Sequence, residues 1–154
     1  MNSSMDEKLD QILYCNLATV CADGSPWNTP LFFVRKGLTL YWYSPLEAMH
    51  SQNILRDGRV FITVFNSQIA VADGDRVALY LRGQASQADE TEIDDIIARF
   101  NHRVKLSEFF LTRDLVEGKA PTRIWRADIS DAWENTGERQ GDYFIDVREQ
   151  LPLS

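Results

Sequence analysis

Apolar and polar residues alternate with a period of two in several short stretches of this chain, and these stretches are rich in β-branched and aromatic residues. This pattern is typical of strands that bury one face. The predicted strands cover residues 15–22, 27–35, 38–43, 59–65, 76–87 and 123–132. After a polar stretch at 134–142, residues 143–147 predict either a small terminal strand or an arm onto a neighbouring subunit.

A second period, of three to four residues, predicts helices between these strands. Residues 4–14 have an amphipathic pattern, and Ser4 with Glu7 supplies a capping box at its start. An apolar stripe rich in isoleucine predicts a helix over about residues 90–105, and a second short helix is predicted at about 109–116.

The stretch from Leu40 to Phe65 contains a strand that leads directly into a predicted helix. Ser44 can cap this helix, Pro45 suits its first position, and Glu47 can complete a capping box. A strand that runs into a helix points backbone N–H groups at the strand end, where an anion such as phosphate can bind. The alternative is an ordinary capped connecting helix, because Glu47 is itself an anion that competes for the same amides.

Three polar side chains, His50, Ser51 and Asn53, fall on the first two turns of that helix and can add hydrogen-bond donors to the anion site. For His50, a partly exposed helical histidine without a ligand is an equally good interpretation. His102 lies just off the apolar stripe of its helix, so we expect it at the surface or at the helix end.

Strands joined by tight turns must be antiparallel, and about six of them with few helices favour a closed or nearly closed barrel that protects its edges. The sequence therefore predicts an α+β fold in a single domain over residues 1–154. Its core is expected at about 4–133, and residues 134–154 are a C-terminal tail or a dimer arm. Pro30 cannot donate to a ladder, so we expect it at an edge, a bulge or a break in pairing.

Charge and composition exclude several classes of protein. A net charge of −7 without a basic tract argues against nucleic-acid binding. No apolar run is long enough to cross a membrane and the N-terminus does not resemble a signal peptide, so we expect a cytoplasmic protein without a membrane role. Cys15 and Cys21 lie in one predicted strand, about 20 Å apart, which excludes a disulfide. Two cysteines and two histidines without ligand spacing argue against a metal site.

Common catalytic motifs are absent from the sequence: there is no Gly-x-Ser-x-Gly elbow, no Walker glycine loop and no Gly-x-Gly-x-x-Gly. Asp94 and Asp95 are adjacent on a predicted helix and therefore belong to its solvated face. Trp125 and Trp133 are expected in the core or in an interface, with stacking on a ring-shaped ligand as the alternative.

Four segments in order resemble one known family: LATVCADGSPWNTPLFFV, LYWYS, a helix ending in NILRDGRVFITVF, and a strand containing RGQA. They are similar to the pyridoxamine 5′-phosphate oxidase-like family of FMN-binding split barrels over about residues 17–89. IWRADISDAW, within residues 121–133, is similar to the closing strand of that family. The resemblance implies a six-stranded antiparallel split β-barrel with short flanking helices, and a homodimer with two FMN molecules in clefts between the subunits.

The resemblance also implies a set of cofactor-binding residues, carried over by position, but no catalytic residue. They are Trp27, Asn28, Thr29 and Pro30 along the flavin ring and ribityl chain; Tyr43, Ser44, His50, Ser51 and Asn53 around the phosphate; and, from the second subunit, Gln84 with Trp125 or Arg126.

The chain departs from the family at two positions around the phosphate. Thr29 stands where the family often has a basic residue, and His50 stands where it often has a lysine. A charge-assisted hydrogen bond is worth about 1.5–3 kcal/mol, against roughly 0.5–1.5 kcal/mol for a neutral one. Loss of both cations is expected to weaken FMN binding about a hundredfold. The candidates to compensate are Arg35, Arg56, Arg59 and Arg82.

Together, these features predict a cytoplasmic FMN-dependent oxidoreductase that acts on a small-molecule redox substrate. Oxidation of pyridoxine phosphate itself is not expected, because the C-terminal region offers no second basic cluster for a substrate phosphate. Two alternatives stay open. One is a flavin-binding or redox-sensing module without turnover. The other is a haem-binding or haem-degrading relative in which His50 or His102 ligates iron.

Overall fold

A computed structural model describes residues 4–69 and 76–153 of the chain. In these residues the helices and strands are α1 (Met5–Gln11), β1 (Tyr14–Val20), β2 (Pro26–Phe32), β3 (Val34–Lys36), β4 (Thr39–Pro45), α2 (Met49–Arg56), β5 (Arg59–Phe65), β6 (Ala78–Gln87), α3 (Ile93–Arg103), β7 (Thr122–Gln140) and β8 (Tyr143–Leu151). Single 3₁₀ turns occupy Glu90–Glu92, Ser107–Phe109 and Arg113–Leu115. All strand pairs are antiparallel, which confirms the predicted α+β class.

The strands form one sheet in the order β2-β1-β5-β6-β7-β4-β3, with β8 added to β7. β2 and β3 lie at opposite ends of this path, although only Phe33 separates them in the chain. Since residues two apart along the chain are within about 7 Å of each other, the sheet must curl until its two ends meet. The result is a barrel with a split between β2 and the β3–β4 edge, as the resemblance predicted.

Two hydrophobic clusters hold the barrel and its helices together. The larger one fills the barrel and includes Leu17, Trp42, Ile62, Leu81 and Trp125, all of which are almost fully buried. The smaller one lies between α3 and the outer face of β3, β4 and β7; it contains Val34, Tyr41, Ile96, Phe100 and Ile124. Alternate residues of β4 therefore serve different clusters, as the period of two in a strand requires.

The described residues contain eight strands rather than the six predicted. One predicted strand is divided into two, and the last predicted strand is followed by an additional one. Phe33 is fully buried and divides the predicted strand 27–35 into β2 and β3. The last predicted strand, 123–132, continues to Gln140 and turns at Gly141 into β8, which pairs only with β7. The polar sequence at 134–142 hid this hairpin, because its outer part exposes most side chains and its strands are held by backbone pairing.

The helix predictions were partly correct. Ser4 caps α1 and forms the predicted box with Glu7, although the helix ends at Gln11 rather than at 14. α3 follows the predicted isoleucine stripe. The short helix predicted at 109–116 is wrong: the segment contains two separate 3₁₀ turns, and Leu106, Phe109, Phe110 and Leu115 are exposed. No helix in the described part of the chain is long and apolar enough to span a membrane.

Candidate functional site at the split of the barrel

The split is bordered by two strand edges that lack a partner among the described residues. β2 pairs with β1 and with no other strand, which confirms the edge position predicted for Pro30. β3 covers β4 only from Thr39 to Tyr41, so the segment Trp42–Pro45 pairs with β7 alone. Unpaired strand edges present backbone N–H and C=O groups, and a ligand can bind to them.

The β2 edge carries the residues predicted to follow the flavin ring. Trp27 is 42% exposed, and Asn28 and Pro30 are also exposed. The indole Nε1 of Trp27 donates to Thr29 Oγ1 at 3.0 Å, which orients both side chains on one face of the strand. Successive residues point to opposite faces, so Asn28 and Pro30 lie on the other face.

The β4 side of the split presents Tyr43 and not Ser44. Tyr43 is 40% exposed and packs edge-on against Phe100 of α3, with ring centroids 5.1 Å apart. Ser44 is buried on the opposite face, where its carbonyl accepts a hydrogen bond from Trp125 Nε1 at 3.2 Å. Because adjacent strand residues face opposite sides, these two side chains cannot both line one phosphate pocket.

The helix start predicted at Ser44-Pro45 is wrong. The strand continues through Pro45 because Ser44 and Pro45 pair with β7, and the amide of Leu46 donates to the Pro121 carbonyl at 2.8 Å. α2 begins at Met49, with Ala48 as an N-cap that provides no side-chain hydrogen bond. The capping box with Glu47 does not form. The amides of the first turn, four residues later than predicted, are therefore left without a side-chain cap, and such amides attract anions.

Four of the predicted polar residues are buried, and we refer to them as the polar cluster: Ser44 on β4, and His50, Ser51 and Asn53 on α2, which packs on β1 and β2. His50 is 7% exposed, and its Nε2 lies 2.8 Å from Ser44 Oγ. Burial lowers the pKa of His50, which favours the neutral imidazole. Asn53 Nδ2 donates to Thr19 Oγ1 at 3.0 Å.

Ser51 differs from the rest of the cluster. Its side chain is fully buried, and its Oγ has no hydrogen-bond partner in the described residues. It is the third residue of α2, so its own backbone N–H is one of the first-turn amides. A buried hydroxyl without a partner is costly and therefore requires an explanation, such as an absent acceptor.

Three of the four arginines that could compensate for the missing cations are paired with carboxylates: Arg35 with Asp6 and Asp10, Arg59 with Asp57, and Arg82 with Asp131. Arg56 lies closest to the cluster. Its guanidinium donates to the Val20 carbonyl and lies 3.4 Å from Asn53 Oδ1. It forms no ion pair with the described residues. Arg56 is the last residue of α2, at the opposite end of the helix from the uncapped first turn.

The residues expected from a second subunit occupy three different environments. Trp125 is fully buried in the barrel core, so its ring exposes no surface to a partner's cofactor. Arg126 donates to Glu92 at 2.7 Å and to Asp128 at 2.6 Å, which commits it to a carboxylate network. Gln84 is exposed and lines a groove on the outer face of the barrel.

This outer groove has a volume of about 670 Å³ and runs across β1, β5, β6 and β7. Its lining includes Ala18, Val20, Phe61, Gln84 and Asp128. The Phe61 ring stacks on Trp133 at a centroid distance of 6.3 Å. A large groove with mostly apolar walls and a few polar groups is typical of a ligand pocket or a subunit interface.

Sequence reasoning missed two residues that position the site. Thr19 holds Asn53, but its strand gives no sign of a partner 34 positions away. Gly58 lies between α2 and β5, and a Cβ there would lie 2.4 Å from Gln84 Nε2 and 2.5 Å from the Ala85 carbonyl. Glycine allows β6 to approach, and the dipeptide Asp57-Gly58 was the only available signal.

The fold and this open edge define an antiparallel split barrel with a candidate ligand site at its split. The sequence profile of the pyridoxamine 5′-phosphate oxidase family matches residues 1–135, so the chain belongs to that family. This match confirms the resemblance inferred from the four sequence segments. No protein with a curated description matches the chain.

Solved structures share the fold at low sequence identity. HutZ, the haem storage protein from Vibrio cholerae, superposes with a TM-score of 0.67 at 20% identity, over 82% of this chain and 87% of that chain. An FAD-binding protein from Mesorhizobium loti gives 0.63 at 16% identity, over 85% and 92%. An F420 reductase gives 0.58 at 18% identity, over 86% and 98%. At these identities the likeness shows the fold alone.

Proposed function

We propose that this protein binds FMN at the split of the barrel and acts, as a homodimer, as a small flavin-dependent oxidoreductase. Membership of the pyridoxamine 5′-phosphate oxidase family supports this proposal, as do the FAD-binding protein and the F420 reductase among the similar structures. The observation that carries it is the pair of open strand edges, β2 and Trp42–Pro45, together with the uncapped first turn of α2, which begins four residues after Pro45.

The residues present fit a flavin ring. The β2 edge offers backbone acceptors, and backbone donors except at its prolines, while Asn28 and Thr29 add side-chain groups. Trp27 and Tyr43 provide exposed aromatic surface at the two sides of the split. In the dimer, the outer groove of one protomer would be covered by its partner and would help exclude water from the ring.

The residues also fit a phosphate, through uncharged donors. The first-turn amides of α2 lack a side-chain cap, and Ser51 Oγ is a buried donor without an acceptor. A phosphate oxygen can accept from these amides, and it can accept from Ser51 Oγ once that hydroxyl becomes accessible, because the residue is fully buried. His50 does not take the place of a lysine here, because its Nε2 bonds with Ser44.

Bound flavin would supply the redox chemistry. The role of the protein is to bind the ring, orient it and limit the access of solvent. We assign no general acid or base, because His50 is buried and hydrogen-bonded and Arg126 is committed to carboxylates.

The absorption spectrum of the protein as purified, followed by titration with FMN, tests this proposal. We expect a flavin spectrum or, for colourless protein, quenching of FMN fluorescence at micromolar protein. Ser51→Ala should weaken FMN binding about tenfold while the Tm stays equal or rises, because an unsatisfied hydroxyl is removed. Ser44→Ala is the matched control: it should lower the Tm, because it removes the partner of His50. Absence of any FMN binding would contradict the proposal.

Haem is the second candidate cofactor, because HutZ is described as a haem storage protein. Two histidines are available: His50, buried against Ser44, and His102, exposed on α3. A Soret band on addition of hemin that is lost in His50→Ala or His102→Ala would favour haem over flavin. Bound FMN that neither a nicotinamide donor nor a deazaflavin can reduce would instead indicate a flavin-binding module without turnover.

A further inference from the structure

We infer that the site holds the flavin phosphate with uncharged donors only, so that the protein binds riboflavin within about tenfold as tightly as FMN. This inference rests on the proposed function and deepens it. It concerns which part of the cofactor supplies the affinity: the ring at the strand edges, or the phosphate at the start of α2.

His50, which stands at the position expected for a cation, is buried and hydrogen-bonded within the protein. Its Nε2 lies 2.8 Å from Ser44 Oγ, and 7% of the residue is exposed. To reach a phosphate outside the cluster, the imidazole would have to break its one polar contact. Burial also keeps the ring neutral at pH 7, because its pKa is lowered.

The arginines that could replace the missing cations are bonded to other groups of the protein. Arg35 is bound to α1 by Asp6 and Asp10, at 2.7 and 2.6 Å. Arg59 is paired with Asp57, the residue that ends α2, at 2.6 Å. Arg56 donates to the Val20 carbonyl, so it is already bonded at the end of β1.

The charge around the start of α2 is negative. Glu47 is exposed in the turn directly before α2, and the first turn of the helix holds no lysine or arginine. The whole chain carries a net charge of −7. These charges disfavour a phosphate dianion but do not affect riboflavin, which is uncharged.

The magnitudes favour a small preference for FMN. Charge-assisted hydrogen bonds are about twice as strong as neutral ones, so a phosphate site with two cations binds about a hundredfold more tightly than the same site with two neutral donors. Without cations, the uncapped amides of α2 and the helix dipole still favour an anion, by less than about tenfold.

The test is to measure Kd for FMN and for riboflavin by fluorescence quenching with the full-length protein at fixed pH and ionic strength. The expected ratio of the two Kd values is below about tenfold. A larger ratio overturns the inference while leaving the proposed function intact. Binding of neither flavin overturns both, so the two failures are distinguishable.

A variant with an added cation tests where the phosphate lies. Gln52 is exposed, and its side chain reaches back to the Leu46 carbonyl at 2.7 Å, beside the start of α2. Gln52→Lys should tighten FMN binding about tenfold and leave riboflavin binding unchanged. Leu55→Lys is the matched control, because it adds the same charge at an exposed position near the other end of the same helix, and it should change neither Kd. An unchanged FMN Kd in Gln52→Lys, with an unchanged Tm, overturns the inference.

Discussion

His50 shows how burial decides the chemistry of a single residue at this site. The histidine lies in the first turn of α2, where a charged imidazolium would be opposed by the helix dipole as well as by desolvation. Ser44 Oγ, 2.8 Å away, can hydrogen-bond to either tautomer of the neutral ring. The residue therefore belongs to the packing of α2 against the barrel, and its protonation is coupled to the stability of the fold.

This coupling predicts how stability depends on pH. The folded-state pKa of His50 is lowered relative to its unfolded value, so the unfolded chain binds the proton first as the pH falls. We expect the stabilisation to be fully present above about pH 6.5, the unfolded pKa, and to be lost progressively as the pH falls through the folded pKa. The measurement is the free energy of unfolding by denaturant between pH 8 and pH 5.

His50→Gln provides the comparison, because an amide can still bond to Ser44 but does not titrate. The variant should show a flatter pH profile than the parent over this range. The control is His102→Gln, at the exposed histidine of α3, which should keep the slope of the parent. An identical slope in His50→Gln and the parent would show that this histidine does not couple to folding.

At the scale of elements, the start of α2 lacks the cap that most helices have. Ala48 occupies the N-cap with φ −62° and ψ 143°, a conformation that suits a capping residue, but alanine has no side-chain acceptor. The three connecting residues after Pro45 are therefore adapted to position the helix on the barrel and leave its first amides available.

Ala48→Asp should have opposite effects on folding and on binding. The carboxylate can accept from the first-turn amides, which should stabilise the fold by about 0.5–2 kcal/mol. The same carboxylate would occupy the proposed phosphate position and repel the dianion, so FMN binding should weaken about tenfold or more. Thermal unfolding and FMN titration measure the two effects. Ala48→Asn is the control, since it caps without charge and should cost less FMN affinity. A stabilised Ala48→Asp variant that binds FMN like the parent would place the phosphate elsewhere.

Elements specified by local sequence could be predicted, and those decided by distant partners could not. The alternation in β5 gave its bounds, Arg59–Phe65, and the Ser4 cap gave the start of α1. Ser44-Pro45-Leu46-Glu47 has equally strong local helix signals, yet pairing with β7, almost 80 residues later, keeps Ser44 and Pro45 in a strand. Long-range pairing outweighed helix-start propensity because it also buries Ser44 beneath Trp125.

The candidate site divides in the same way. Pro30 identified the open edge of β2, because the missing N–H is a local property. The neutral, buried state of His50 and the pairing of the arginines were not predictable, because they depend on Ser44, Asp10 and Asp57 in the folded arrangement. The resemblance to the family therefore named the candidate site residues. Their protonation states and their hydrogen-bond and ion-pair partners could be determined only from the structure.

At the scale of the molecule, the barrel has apolar surface that its own helices do not cover. Phe61 and Phe65 on β5 point outward and are 37% and 43% exposed. The hairpin of β7 and β8 extends beyond β6 and exposes Tyr143 and Phe144 at its tip. Two-stranded hairpins are only marginally stable alone. A second copy of the chain that covers the outer groove is the arrangement we propose, and an arm formed by the hairpin stays a prediction.

Two substitutions on β5 test whether the outer groove, rather than the exposed apolar surface beside it, forms the dimer interface. Phe61 lines the outer groove. Phe65 lies on the same exposed face of the same strand but outside the groove. Phe61→Lys places a third cation beside Arg59 and Arg82 and removes an apolar contact, so it should raise the Kd of the dimer at least about thirtyfold. Phe65→Lys should leave the dimer intact. Sedimentation equilibrium gives both constants, and circular dichroism checks that each variant is folded.

The dimer and the cofactor should be lost together, since the proposed site is completed by the partner subunit. At protein concentrations where Phe61→Lys is monomeric, its affinity for FMN should fall at least about tenfold, and it should recover as the concentration is raised toward the new dimer Kd. Phe65→Lys should bind FMN like the parent at every concentration. A monomeric Phe61→Lys that keeps the parent's FMN affinity would mean that one protomer forms the whole site, and the open edges of β2 and β4 would then have to hold the flavin without a partner.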